Sequence, residues 1–236
     1  MIKTSAVVAV LVAAASSNAA LITLGGDFSG TFGNGNLIAI NSAGQRTFSQ
    51  NLSDASVSGT VRFSNTLGAG DQSFELALDN FSYTSTSTQS RTLTIRIVQD
   101  FVRHGDFITA SAQRNVSAFV NFSRVGQVYT GDIGSKHENT LLPSSGLNPA
   151  AVPAGSAPSG SFISGGMVPI SVPVSGVLYT IEATYTITLT PLGGTMEYRS
   201  SAATSGLTFD RVALVPTPAS AALLGLGGLL AARRRR

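Results

Sequence analysis

The segment "VLYTIEATYTITLT", Val177 to Thr190, alternates two chemistries with a period of two. Tyr179, Ile181, Ala183, Tyr185, Ile187 and Leu189 fall on one side, and Thr180, Glu182, Thr184, Thr186, Thr188 and Thr190 fall on the other. A helix would scatter these sets around its circumference, whereas a strand separates them onto two faces. Threonine suits the solvated face, because its β-branching costs little on a pleated surface. A chain carrying such a segment must place it in a sheet with one side on a core and the other in water.

The same signature recurs. "TVRFSN" from Thr60, "SFELALDNFSY" from Ser73, "RTLTIRIVQDFV" from Arg91, "FITASAQ", "NVSAFVNFSR", "GMVPISVPV", "GTMEYRSS" and "LTFDRVALV" all read as strands, after two early runs around Leu21 to Phe32 and Leu37 to Ile40. Gly, Asn, Asp and Ser punctuate them at short intervals, and no long helical pattern intervenes. The expected fold is all-β, a single antiparallel β-sandwich or jelly roll occupying residues 20–215. Parallel βαβ units are excluded by the lack of helices to cross over.

From Gly131 to Pro173 the chain carries six of its nine prolines, which points to a solvent-exposed excursion or a binding loop rather than central strands. "LPSSG" at Leu142 to Gly146 resembles the sortase pentapeptide, but it lies far upstream of the C-terminus and has Ser145 where that motif carries threonine. It is read as coincidence.

Charge narrows the partners. The formal net charge is +3, yet Lys3 and Arg233 to Arg236 sit in terminal segments, and without them ten basic residues face twelve acidic ones. No basic stripe with interleaved aromatics remains in the body, so no nucleic-acid partner is expected. Serine and threonine number 31 and 23, but Val, Ile, Leu and Phe recur in ordered alternation, so a folded domain with hydroxylated outer faces is expected rather than disorder. The absence of cysteine removes disulfides and Cys-ligated metals.

Catalytic signals are sparse. His104 with Asp106, and His137 with Glu138, would make a mixed nitrogen and oxygen metal site if two loops met, though polar loop positions explain both histidines without a metal. Glu182, Glu75 and Asp79 sit on strand faces where charged side chains are simply solvated, which argues against a glycosidase pair. No G-x-S-x-G and no phosphate loop occurs. Asp27 and Asp210, near the two ends of the domain, are the candidates for a structural calcium. "FDRVAL" loosely resembles the last strand of jelly-roll carbohydrate-binding modules, which often hold such an ion. No catalytic residue and no cofactor is assigned. Asn51, Asn80, Asn115 and Asn121 head N-x-S sequons that this serine content produces by chance.

The two ends carry targeting patterns. In "MIKTSAVVAVLVAAASSNAA", Lys3 supplies a positive region, Ala6 to Ala15 a short apolar run, and Ser17-Asn18-Ala19 small residues at the cleavage positions. The expectation is a signal peptide over residues 1–19, export through the secretion translocon, and cleavage after Ala19 or Ala20. At the other end, Val215-Pro216-Thr217-Pro218 precedes "ASAALLGLGGLLAA" and then Arg233, Arg234, Arg235 and Arg236. Fourteen residues make a helix of about 21 Å, short for a bilayer. Four arginines hold their side in the cytoplasm and extend the span by snorkelling. The prolines stop the helix on the far side.

This order of parts, residues 216–236, resembles the PEP-CTERM sorting signal of Gram-negative envelope proteins, with Thr217 where that family usually has glutamate. The resemblance implies a short C-terminal transmembrane helix, transient inner-membrane anchoring, and processing near Pro216, Thr217 and Pro218 by an exosortase, a membrane cysteine transpeptidase. Such proteins tend to accompany exopolysaccharide production. Taken together, the expectation is a non-enzymatic protein of the cell surface or extracellular matrix, associated with polysaccharide or matrix protein. A calcium-dependent carbohydrate-binding module and an envelope glycoside hydrolase stand as alternatives.

Overall fold

The computed structural model describes residues 21–33, 38–103, 109–137, 140–142, 159–170 and 178–210. The expected signal peptide with Ala19, the tail from 211 onward, His104, Asp106, Glu138 and the LPSSG stretch beyond Leu142 lie outside them. Among the described residues no helix is long and apolar enough to cross a membrane.

Twelve strands form the described fold: β1 Leu21–Gly26, β2 Gly30–Phe32, β3 Ser42–Asn51, β4 Ala55–Leu67, β5 Asp71–Ser85, β6 Arg91–Val102, β7 Thr109–Phe122, β8 Val128–His137, β9 Thr140–Leu142, β10 Ser159–Ile170, β11 Leu178–Thr190 and β12 Met196–Asp210. They make two six-stranded sheets, β2-β1-β6-β11-β8-β9 and β10-β7-β12-β5-β4-β3. Every named pairing is antiparallel, as expected. From β5 onward the chain mostly crosses from one sheet to the other instead of turning back on itself. Sheet neighbours such as β6 and β11, or β7 and β12, are therefore far apart in sequence.

The strand alternation becomes the core directly. On β11 Tyr179, Ile181, Ala183, Tyr185, Ile187 and Leu189 are all buried, while Thr180, Glu182 and the following threonines are half-exposed. The two inner faces meet in one hydrophobic cluster. Aromatic pairs bridge the sheets: Phe74 with Phe101, Tyr179 with Phe209, and Tyr129 with Tyr198. All five tyrosines are 2% exposed or less, so none remains on an outer face. Burial of rings this large contributes on the order of 2 kcal/mol or more each.

Two sequence expectations are corrected, and one strand was not expected at all. The Gly131 to Pro173 stretch is not an excursion throughout. Gly131 to His137 belongs to β8, held between β11 and β9, and Ser159 to Ile170 forms β10. Pro169 is compatible with this because β10 is an edge strand and needs its N–H groups on one side only. "FITASAQ" and "NVSAFVNFSR" merge into β7, a continuous ladder with β12 interrupted only by an irregularity near Ser200. β3 carries no alternating apolar signal, since Phe48 is its single buried residue, yet it pairs with β4 over ten residues. As an edge strand whose Phe48 meets Phe32 of the three-residue β2, it has little core to fill.

The sandwich has two poles. The turns β1–β2, β3–β4, β5–β6, β7–β8 and β11–β12 gather at one. Leu21 at the start of β1 and Asp210 at the end of β12 both lead away towards the other.

Candidate functional site

The outer face of the β11 sheet is the most regular chemical surface of the described fold. Register places Thr92, Thr188 and Thr130 in one cross-strand row, then Thr94, Thr186 and Asp132, then Arg96, Thr184 and Gly134, then Val98, Glu182 and Lys136. Rows of this kind are spaced about 6.8 Å along a strand, and neighbouring strands lie about 4.8 Å apart. The hydroxyls are partly committed to one another: Thr92 Oγ1 and Thr188 Oγ1 lie 2.9 Å apart, and Ser90 and Thr190 share a hydrogen bond of 2.8 Å. In the middle, Arg96 donates to both carboxylate oxygens of Glu182 at 2.9 and 2.8 Å. A Cβ at Gly134 would meet nothing within 4 Å, so the face is open there.

This surface offers hydroxyl donors and acceptors, one neutralised ion pair and flanking Asp132 and Lys136. It carries no aromatic ring among its described residues, and the chain has no Trp. Contacts would be hydrogen bonds spread over an extended ligand, without ring stacking.

The carboxylates singled out in the sequence are occupied. Glu182 is paired as above. Glu75 and Asp79 share Arg62 on the outer face of the other sheet, at 3.5 and 2.9 Å, and hydrogen bonding to Asp79 raises the Arg62 pKa. Asp27 does not join Asp210. Its Oδ2 accepts from Thr92 N–H at 2.6 Å and its Oδ1 lies 3.6 Å from Arg91, at the pole of tight turns. The Asp210 backbone pairs with Asp71 and Thr109 at the opposite end of β12. Fifteen residues of strand separate those ends, roughly 45 Å. Asp27 instead sits beside Arg91, which also donates to Asp54 at 3.1 and 2.7 Å. That hydrogen bond holds the Asp54 carboxyl below its ordinary range. Among the described residues no group of three or more His, Cys, Asp or Glu could hold a metal ion.

His137 is not a loop residue. It ends β8 on the inner face with no exposed surface, and Nε2 lies 2.9 Å from Ser135 Oγ and 3.1 Å from Ser205 Oγ. The two hydroxyls also bond each other across the sheets. Nearby, Arg114 of β7 reaches between the sheets to donate to the carbonyl of Ile133. Burial pushes the His137 pKa down to about 4, so the ring is neutral at pH 7, and burial lowers that of Arg114 as well. Among the described residues His137 Nδ1 has no hydrogen-bond partner. No sequence signal distinguished Ser135, Ser205 or Arg114, because their convergence depends on three strands from two sheets. A serine against a neutral imidazole would be a nucleophile pair if substrate could reach it. Here Ser135, Ser205 and His137 are all 2% exposed or less, so the cluster is a polar island sealed in the core.

No protein-family model matches this chain, and no curated protein matches it. Among solved structures, the enzymatically active domain of bacteriophage CBA120 tailspike protein 4 aligns at 10% identity over 68% of this chain and 19% of that one, with a TM-score of 0.19. The infectious bursal disease virus Gx strain structure aligns at 11% identity over 92% of this chain and 72% of that one, TM-score 0.24. A carbohydrate-binding module of the β-sandwich superfamily aligns at 12% identity over 78% of this chain and 84% of that one, TM-score 0.20. Likenesses this distant carry no inference about function, and the fold rests on the strand register described above.

Proposed function

We propose that this chain is an exported, non-enzymatic β-sandwich of the cell surface or extracellular matrix, whose hydroxyl-lined outer sheet face contacts extracellular polysaccharide. The observation that carries the contact is the threonine ladder of β6, β11 and β8, solvated, charge-balanced and free of rings. Delivery rests on the sequence: the N-terminal signal pattern, and the Pro216-Thr217-Pro218, apolar and tetra-arginine tail that resembles an exosortase substrate. The non-enzymatic assignment is supported by the carboxylates of Glu182, Glu75 and Asp79, each held by an arginine on an open face, and by a histidine sealed in the core. Placement of Asp27 and Asp210 at opposite poles removes the support that the calcium-module alternative drew from that pair.

Two measurements test this. Mass spectrometry of the protein recovered from the cell exterior should find a C-terminus near Pro216 to Pro218; a mature chain ending in "AARRRR" overturns the sorting assignment. Co-sedimentation with the producing cell's extracellular polysaccharide should be lost when Thr94, Thr186 and Thr188 are changed to valine, which keeps shape and removes hydroxyls. Unchanged co-sedimentation would refute the assigned face.

A further inference from the structure

The four outer strands of the two sheets are built differently. β2 and β9 are three residues each, and β10 carries Pro169. Short length and proline are two of the devices by which sheet edges avoid pairing with another chain. β3 has neither. It runs ten residues, pairs with β4 in unbroken register and contains no proline, lysine or bulge. Its outer-face residues Ala43, Gln45, Thr47, Ser49 and Asn51 are all exposed, and among the described residues no strand covers its free edge.

We propose that β3 pairs with β3 of a second copy of this chain, antiparallel, about a two-fold axis through Thr47. An isologous contact of this kind continues the six-stranded sheet across both molecules. Residues directly opposite in an antiparallel pair must lie on the same face, so the axis has to pass through one residue rather than between two. Centring on Arg46 would set two guanidinium groups against each other, which is unfavourable. Centring on Thr47 sets threonine against threonine, Arg46 against the partner's Phe48, Gln45 against the partner's Ser49, and Ala43 against the partner's Asn51. On the inner face Gln50 comes opposite the partner's Gly44. Among the described residues Gln50 Oε1 is buried and has no hydrogen-bond partner, and Gly44 has no side chain to block the approach. A Cβ at Gly44 would also lie 2.5 Å from the Phe63 ring, so the glycine is fixed by packing within its own molecule. The inward charge of Arg46, which elsewhere would protect an edge, here disfavours the register centred on itself. The pairing stands apart from the tail and from the threonine face.

The chain contains no cysteine, so single introduced thiols give a clean readout. Opposed residues in an antiparallel pair have Cα atoms roughly 4.5 to 5.5 Å apart, within disulfide reach. In the full chain under mild oxidant, T47C should form a reducible dimer. Q45C and S49C should each form no disulfide-linked dimer alone and cross-link when mixed, since each residue lies about four positions from its own copy. Wild-type protein should show concentration-dependent dimerisation by sedimentation. T47K, which opposes two ammonium groups, should weaken it at least tenfold with its circular dichroism melt unchanged. A monomeric T47C, or Q45C cross-linking alone as well as T47C, overturns the proposal, as does a T47K variant that dimerises like wild type.

Discussion

Phe74 of β5 and Phe101 of β6 lie face to face between the two sheets, ring centroids 4.2 Å apart and planes 10° from parallel. Phe101 also meets Tyr179 at 5.8 Å and Phe209 at 6.2 Å, which makes it the hub of an aromatic cluster from four strands. Phe101→Ala should therefore cost about 3 to 5 kcal/mol, measured by urea unfolding. A loss under 1 kcal/mol would mean that the sheets do not pack through this residue.

Polar stability is concentrated at the turns rather than on the faces. The buried amide of Gln127 accepts from the N–H groups of Ser123 and Arg124 at 2.7 and 3.2 Å, and donates to the carbonyls of Pro191 and Thr195 at 2.7 and 3.3 Å. It laces the β7–β8 and β11–β12 turns together. Gln127→Ala leaves those groups short of partners and should cost roughly 2 to 4 kcal/mol. Glu182→Gln, which breaks the exposed pair with Arg96, should cost about 1 kcal/mol or less. Reversal of this order in denaturant titrations would contradict the burial argument.

His137 gives a defined pH dependence. Its folded pKa of about 4 lies below the unfolded value near 6.5, so the unfolded chain takes up the proton first as pH falls. The stability that its neutral, buried state contributes is complete above pH 6.5 and drains as pH drops towards 4. The full loss is roughly 3 kcal/mol. Comparing wild type with His137→Gln in urea between pH 7.5 and 4.5 isolates this share from that of the carboxylates. Parallel curves for the two proteins would show that the ring is not held neutral by burial.

Leu192 occupies φ +53° and Gly193 φ +78°, with Gly194 N–H donating to the Pro191 carbonyl at 2.9 Å. Positive φ at both central residues defines a type I′ turn, for which asparagine and glycine are the favoured residues. A leucine in the left-handed region is strained, so Leu192→Asn should raise stability by roughly 1 kcal/mol. A thermal melt that does not rise would place the strain elsewhere.

The sequence alone determined the element type and which faces turn inward. The alternation over Tyr179 to Leu189 is a local property of a pleated strand, and a one-residue slip would expose every one of those side chains. The two terminal patterns were likewise read from charge and apolar length alone, and they lie outside the described residues. Sequence could not reveal β3, whose single buried Phe48 leaves no periodic signal, nor the continuation of strand through Gly131 to His137, whose β11 partners lie more than forty residues away. Likewise, only the crossing of strands between sheets brought His137 to Ser205, parted Asp27 from Asp210, and gave Arg91 to Asp54. Side-chain partnerships of this kind depend on which strands become neighbours. That order is decided by how two amphipathic sheets close over one core, a property of the whole chain rather than of any segment in it.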